Sequence, residues 1–230
     1  TEGFPVGHFV GYVADGIFQS QEEVFSHINS QGQVLQPKAE PGDIRFLDIN
    51  GDGEINSEDI TDIGSPWPDH ILGLTLSANY GGFDFSAVLS AQLGHDIYRT
   101  YERSDITFTN YQTFWLDRWT PENPSNEYPR LVSNDPNNNQ RPSSFYVEEA
   151  SFLRLRNLQI GYNFSPELLS KVKLNGLRLY FSANNLLTIT GYNGFDPDIG
   201  TNNGWILDTG IDKGFYPTNT TFGGGIKITM

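Results

Sequence analysis

The 230-residue chain contains no cysteine, which excludes a disulfide scaffold, a thiol nucleophile and Cys-ligated zinc or iron sites. It is also poor in positive charge: 14 Lys and Arg stand against 28 Asp and Glu, a formal net charge of −14. Nucleic-acid affinity rests on neutralising phosphates with Lys and Arg, so no nucleic-acid partner is expected. Nowhere do about 20 apolar residues follow one another, which excludes a membrane-spanning helix. A membrane β-barrel survives that test, because its strands need only about 9–11 residues with one apolar face. The four histidines, His8, His27, His70 and His95, lack ligand spacing, and with no catalytic constellation beside them the chain is not expected to be an enzyme. What is abundant is glycine (24), proline (13) and aromatic residues (13%), against only 18% charged residues. Such a composition points to an all-β fold.

The clearest segment runs from Leu72 to Leu93. Leu72, Leu74, Leu76, Ala78 and Tyr80 alternate with Thr75, Ser77 and Asn79, and after Gly81-Gly82 the residues Phe83, Phe85, Ala87, Leu89, Ala91 and Leu93 alternate with Asp84, Ser86, Ser90 and Gln92. The glycine pair supplies the positive φ angles of a two-residue hairpin turn, so the segment predicts a hairpin with one apolar and one polar face. A third strand is expected from Phe152 to Phe164, with Leu158, Ile160, Tyr162 and Phe164 on the apolar face and Arg154 and Arg156 sharing it near the membrane edge. Ser165-Pro166-Glu167 before Leu168, Leu169 and Val172 predicts one capped helical turn. A strand from Gly176 follows, with Leu177, Leu179, Phe181 and Ala183 on one face. The last strand runs from Thr220 to Met230, with Phe222, Ile226, Ile228 and Met230 on one face, and a weaker one is expected near Phe9 to Phe18. In the long segment after Leu93, Phe114 to Trp119 predicts a short helix that buries Trp115 and Trp119.

The joins between these six runs cover residues 19–71, 81–82, 94–149, 165–175 and 191–219, so long and short connections alternate strictly. Both ends of a soluble sandwich face the same water, and nothing there would sort loops by length. An outer-membrane barrel does sort them, with short periplasmic turns and long outside loops. Tyr80 and Phe83 would then flank one short turn, and Tyr162 and Phe164 the next, as an aromatic girdle at a membrane interface. About six strands are too few to close a barrel, since small closed barrels need about eight. The expectation is therefore a transmembrane antiparallel β-barrel of which residues 1–230 form the C-terminal part, with long extracellular loops. No signal peptide opens the chain at Thr1, which suits a mature chain or a piece of something longer.

Within the first long connection lies Asp48-Ile49-Asn50-Gly51-Asp52-Gly53-Glu54-Ile55-Asn56-Ser57-Glu58-Asp59. Its spacing matches the calcium-loop pattern, with oxygen donors at loop positions 1, 3, 5, 7, 9 and 12 and glycine at position 6. Asp48, Asn50, Asp52, Asn56 and Asp59 would give side-chain oxygens and Glu54 its backbone carbonyl. Asp59 replaces the usual bidentate glutamate with a shorter arm, and the preceding residues are extended, so a paired EF-hand is not expected. A structural Ca2+ held in a loop insertion spanning 43–63 is the expectation; an Asp/Asn/Gly-rich turn that binds nothing is its alternative.

The sequence is similar to the SusC/RagA family of TonB-dependent outer-membrane transporters. The resemblance is carried by Phe9-Val10-Gly11-Tyr12, Asp15-Gly16-Ile17-Phe18, Pro41-Gly42-Asp43 leading into Asp48 to Gly53, and Gly64-Ser65-Pro66 with Pro68. It continues through Asp117-Arg118-Trp119-Thr120-Pro121-Glu122-Asn123-Pro124, Tyr128-Pro129-Arg130, Phe152 to Asn157, Ala183-Asn184-Asn185-Leu186, Gly191-Tyr192 and Phe195-Asp196-Pro197. The resemblance implies a barrel of about 22 strands around an N-terminal plug in the outer membrane of a Gram-negative bacterium. It further implies import of glycans (oligosaccharides) or peptides, a SusD-like surface lipoprotein partner, the lipid bilayer as surroundings, and TonB-complex energy delivered through an N-terminal part missing here.

Possible substrate or partner contacts lie in the loop before the last strand: Tyr192, Phe195, Asn202, Asn203, Trp205 and Asp208, with Asn193 beside them. Aromatic faces with amide and carboxylate neighbours suit sugar rings, and ordinary aromatic anchors of a folded loop are the alternative. A secreted, calcium-stabilised β-sandwich that binds carbohydrate would share these features but predicts no apolar outer band.

Overall fold

The fold is described from a computed structural model, for residues 5–101, 111–133, 135–171, 173–201 and 204–229. In chain order the elements are β1 (Phe9–Gly11), β2 (Ala14–Ile17), α1 (Gln21–Ser26), β3 (Ile44–Phe46), β4 (Thr61–Gly64), β5 (His70–Tyr80), β6 (Phe83–Leu93), β7 (Asp96–Arg99), β8 (Val147–Glu149), β9 (Phe152–Asn163), α2 (Pro166–Ser170), β10 (Gly176–Thr190), β11 (Ile211–Asp212) and β12 (Thr221–Thr229). They divide into two units. One comprises Thr1–Pro66, Ile97–Glu148 and Thr201–Gly214; the other comprises Trp67–Asp96, Glu149–Gly200 and Phe215–Met230.

The second unit is built on one antiparallel sheet in which sequence neighbours are spatial neighbours, in the order β12-β10-β9-β6-β5. β5, β6, β9, β10 and β12 are 11, 11, 12, 15 and 9 residues long, each enough to cross a bilayer as a tilted strand. The hairpin expected at Gly81-Gly82 is present: these glycines have φ of 55° and 88°, and Tyr80 pairs Phe83 directly. Gly82 has no room for a side chain, since a Cβ there would meet the Asn163 carbonyl oxygen at 2.8 Å. The Gly82 carbonyl in turn accepts from the Asn163 N–H at 2.7 Å, tying β9 to the turn. The helical turn is α2, with Pro166 in its first turn and Leu169 buried. Ser165 stands at its N-cap in extended backbone but makes no side-chain cap hydrogen bond. Val172 and Met230 lie outside the described residues.

The register also corrects two expectations. Arg154 and Arg156 do not share the apolar face. β9 pairs Asn157 with Val88 but Leu155 with Leu89, so Arg156 is an extra residue that resets the alternation. Arg154 therefore faces Ser90 and Thr188 on the polar side, while Leu153 and Leu155 join the apolar row. β10 answers with its own irregularity between Asn184 and Leu187, where Asn185 takes a positive φ of 50°; asparagine tolerates that region better than most residues. The second correction concerns the run from Phe9 to Phe18, which does not add a sixth strand to the sheet. It breaks into β1, paired with β4, and β2, paired with β3, with Gly16 at φ 98° interrupting the second. Five strands, not six, form the sheet.

The first unit packs small sheets and turns around aromatic residues. α1 is capped by Ser20, whose side chain accepts from the Glu23 N–H, and it presses Val24 against Phe18 and Ala39. β7 lies between β8 and β11. The short helix expected around Phe114 to Trp119 is a 3-10 turn over Thr113–Asp117, and Trp115 and Trp119 are both buried as expected. Trp119 donates to the Gln19 side chain at 3.1 Å, and its indole lies against the bare Cα of Gly42, whose φ is 92°.

Candidate functional site

The sheet of the second unit is two-faced, and the pairing fixes which side chains share a face. Leu72, Leu74, Leu76, Ala78 and Tyr80 stand opposite Ala91, Leu89, Ala87, Phe85 and Phe83. Leu153, Leu155, Leu158, Ile160 and Tyr162 extend that row onto β9, and Leu177, Leu179, Phe181 and Ala183 on β10 with Ile228, Ile226 and Phe222 on β12 complete it. This face is apolar and exposed across its width, with Leu72, Leu74, Leu76, Ile160, Phe181, Ile226 and Ile228 all open. In water such a patch would be an aggregation hazard, since soluble monomers rarely expose more than a few hundred Å² of contiguous apolar surface. At the end carrying the short turns, the Phe83 and Tyr162 rings meet at a tilt, 4.7 Å between centroids, Tyr162 meets Phe164 edge-on at 5.0 Å, and Tyr80 is 89% exposed. These four residues form the aromatic row expected there.

The opposite face is polar and internally bonded. Arg178 on β10 reaches Asp84 on β6 across the intervening strand β9. The crossing is possible because β9 carries Gly161 at that point: a Cβ would lie 2.5 Å from an Asp84 oxygen and 2.6 Å from Arg178 Nη2. Asn163 adds a hydrogen bond to Asp84 at 2.9 Å. Further along, the Asn157 amide donates to Asn184 at 2.7 Å and Asn184 to Thr221 at 3.1 Å, a polar ladder over three strands. Within this face the polar groups satisfy one another.

Near the other end of the sheet, the loop after β10 folds back through a charged cluster that alternation alone does not reveal. Arg154, 2% exposed, pairs with Asp196, donates to Thr188 Oγ1 at 2.9 Å and reaches Asp198 at 3.4 Å. Arg156 donates to Ser90 at 2.7 Å and to Asp198 at 2.7 Å. Asp196 also accepts the N–H groups of Thr218 at 2.8 Å and Asp198 at 2.9 Å. Burial pushes the Asp196 carboxyl up, but the Thr218 N–H, Arg154 and the Asp198 N–H together outweigh it and hold the group at about 2. The bulge at Arg156 is thus what turns Arg154 and Arg156, two residues apart, away from the apolar row of Leu158 and Ile160 and toward the loop. The signal available beforehand was the pair Asp196 and Asp198 around Pro197, two acids for two arginines.

In the acidic loop, each expected side-chain donor is engaged with the loop's own backbone. Asp48 accepts from the N–H groups of Gly51 at 2.7 Å and Gly53 at 2.8 Å, Asn50 from Asp52, Asp52 from Glu54, and Asn56 from Glu58. Asp59 is fully buried and accepts from Ile49 at 2.7 Å and Asn56 at 2.8 Å, drawing the two ends of the loop together. The Asn50 amide, then the Glu54 N–H and the Asn56 amide, lower the Asp52 carboxyl from its ordinary value. The donor types are oxygen-only and suit Ca2+. Among the described residues, no group of three or more His, Cys, Asp or Glu side chains gathers in a way that would hold a metal ion; the amides of Asn50 and Asn56 occupy Asp52 instead.

The expected contact residues divide between the two units. Tyr192 is 6% exposed with its ring against Gly194, while Phe195 in the same unit is 60% exposed. In the other unit Trp205 is 69% exposed, and Asp208 pairs with Lys213 at 2.8 Å. Asn202 and Asn203 lie outside the described residues.

No family model matches the chain. It is 32% identical to TonB-dependent receptor P3 of Formosa agariphila over 232 residues, which are 99% of this chain and 22% of that protein. It is 29% identical to TonB-dependent receptor SusC of Bacteroides thetaiotaomicron over 222 residues, covering 96% of this chain and 20% of SusC. The chain thus spans about a fifth of the length of these relatives. Among solved structures, the RagAB peptide importer in its open-open state matches with a TM-score of 0.66 at 23% identity, over 99% of this chain and 23% of that one. A second RagAB structure, of the peptide transporter, gives 0.67 at 24% identity, over 96% and 22%. These likenesses carry the fold.

Proposed function

This chain is a SusC/RagA-like TonB-dependent receptor sequence, and from that premise we propose that its five-stranded sheet is a wall segment of an outer-membrane import barrel of a Gram-negative bacterium. The observation that carries the proposal is the uncovered apolar face backed by a hydrogen-bonded polar face, on strands of membrane-crossing length. The whole transporter brings in an oligosaccharide or a peptide together with a SusD-like lipoprotein, drawing energy from the TonB complex through other parts of the chain. The β5 and β12 edges, each paired on one side only within the described residues, are where further strands of the barrel add. A secreted sandwich would need a second sheet over the apolar face, and that face is exposed. Alkaline carbonate extraction of native membranes tests the proposal. The protein is expected to stay in the pellet and to need detergent; release into the carbonate supernatant overturns it.

We also propose that the loop from Asp48 to Asp59 takes up Ca2+ with a Kd of about 10⁻⁴–10⁻³ M, in the range of extracellular modules. Its support is the spacing of the oxygen donors, with Gly53 at φ 91° making the turn that position 6 requires. Binding would replace the amide contacts that Asn50 and Asn56 make to Asp52. Calcium titration of the chelator-treated receptor is expected to show one fewer site in the Asp48→Ala, Asp52→Ala variant than in wild type. Equal stoichiometry in the two would leave the loop as a turn without a metal.

A further inference from the structure

A hollow of about 210 Å³ in the first unit has aliphatic walls from Leu35, Pro37, Ile55 and Pro136, and the charged groups of its lining are two cations, Lys38 and Arg141. Acids outnumber bases in this chain, 28 against 14, so a lining without a carboxylate runs against its composition. Arg45, Arg99, Arg130, Arg154, Arg156 and Arg178 each pair with a carboxylate. Among the described residues Arg141 does not. Its guanidinium donates to the carbonyls of Asn137 at 2.6 Å and Asn138 at 3.1 Å, and it lies over the Phe46 and Tyr12 rings, 4.5 and 5.0 Å from their centroids. Those bonds occupy two of its five N–H donors, and carbonyls and ring faces leave its charge without a counter-ion. Burial lowers the guanidinium from its ordinary value, against the opposing pull of Tyr12 and Asp135. Asp135 itself accepts from the Asn139 N–H and amide and forms no ion pair with Arg141. Lys38 is exposed and likewise has no carboxylate partner among the described residues. The wall beside the two cations is fixed, because the Gln36 and Asn137 amides both donate to the Ile44 carbonyl, each at 3.0 Å.

We propose that this hollow binds a phosphate group, held by the Arg141 guanidinium and the Lys38 ammonium. A phosphate ester carries about −1.5 to −2 of charge at neutral pH, which matches two cations, and its oxygens present several acceptors to the remaining N–H donors. A carboxylate brings a single charge and matches less well. The aliphatic walls leave room for whatever bears the group. The phosphate comes as the free ion or as an ester such as a lipid headgroup, and both present the same oxygens to the two side chains. The site goes beyond the import reading and does not depend on it.

The test is phosphorus NMR of inorganic phosphate and of glycerol 3-phosphate in turn, with the full-length receptor in detergent and a chelator present so that no calcium captures the probe. At least one probe is expected to show saturable line broadening that weakens as salt is added. Its affinity should fall about tenfold in Lys38→Glu, and about threefold in Lys38→Ala and in Arg141→Lys, which keeps the charge but loses the fork. Lys171→Ala, in the other unit, should match wild type. Lys38 and Lys171 are exposed, so their variants keep the fold. Tighter binding of glycerol 3-phosphate identifies an ester as the source and tighter binding of inorganic phosphate the free ion; either supports the site. No saturable broadening with either probe, affinity unchanged in Lys38→Glu, an equal loss in Lys171→Ala, or displacement of the probe by equimolar acetate overturns it.

Discussion

Asp196→Ala is expected to loosen the loop between β10 and β12 by about 3–5 kcal/mol, the cost of leaving a buried charge without its partner. Arg154 is 2% exposed and pairs with Asp196, and the same carboxylate anchors the Thr218 N–H some twenty residues along the chain. Hydrogen exchange across residues 193–219 should accelerate by about 10²–10³, while the strand amides of β6 and β9 keep their protection. Asp198→Ala, at a more exposed site shared by Arg154 and Arg156, should cost about 1 kcal/mol. Replacing both partners, as Arg154→Met with Asp196→Leu, should restore much of the loss, because the buried charge goes with its counter-ion. The same pair sets a pH dependence. The folded carboxyl is held at about 2, below the unfolded value of about 3.9. A depressed acid adds stability above its unfolded pKa, so this contribution is complete above pH about 4 and is lost as pH falls toward about 2. Loop exchange that is flat across that window, or unmoved by Asp196→Ala, would contradict the anchoring role.

The second large effect separates the two faces of the sheet. Leu74 sits near the middle of β5, opposite Leu89 on the apolar face, and Ser77 opposes Ser86 on the other. In a bilayer, Leu74→Arg places a guanidinium near the midplane at a cost of about 2–4 kcal/mol, whereas a lumen-facing Ser77→Arg costs about 0–1. Were the face bathed in water, both would be ordinary exposed substitutions, within about 0.5 kcal/mol. The readout is the fraction of receptor recovered from outer membranes in its heat-modifiable, folded form. It should drop sharply for Leu74→Arg and stay near wild type for Ser77→Arg.

Much of the sheet was legible because period-two alternation is a direct consequence of strand geometry. The hairpin from His70 to Leu93, its glycine turn and the faces of β10 and β12 follow from it. Alternation fails where a bulge inserts a residue, which is why Arg154 and Arg156 read as sharing the apolar face near the membrane edge when they serve the loop at Asp196 and Asp198. A bulge leaves no local mark in composition; it is set by partners on neighbouring strands. The run from Phe9 to Phe18 has the right residue types but divides between two short pairings. In the first unit α1 was not among the expected elements, although Ser20 stands three residues before Glu23 with the spacing of a cap. The buried amides Asn137 and Asn139, which bond the backbone of Ile44, carry no such signature, because that partner lies far along the chain.

The central claim, that the apolar face meets lipid and the polar face meets water, is tested most directly by nitroxides placed one at a time from Leu72 to Asn79 in the full-length receptor in lipid vesicles. Collisions with oxygen should peak at Leu72, Leu74, Leu76 and Ala78, and collisions with a water-soluble nickel chelate at Gly73, Thr75, Ser77 and Asn79. Equal access of the chelate to both sets would contradict a membrane-spanning wall.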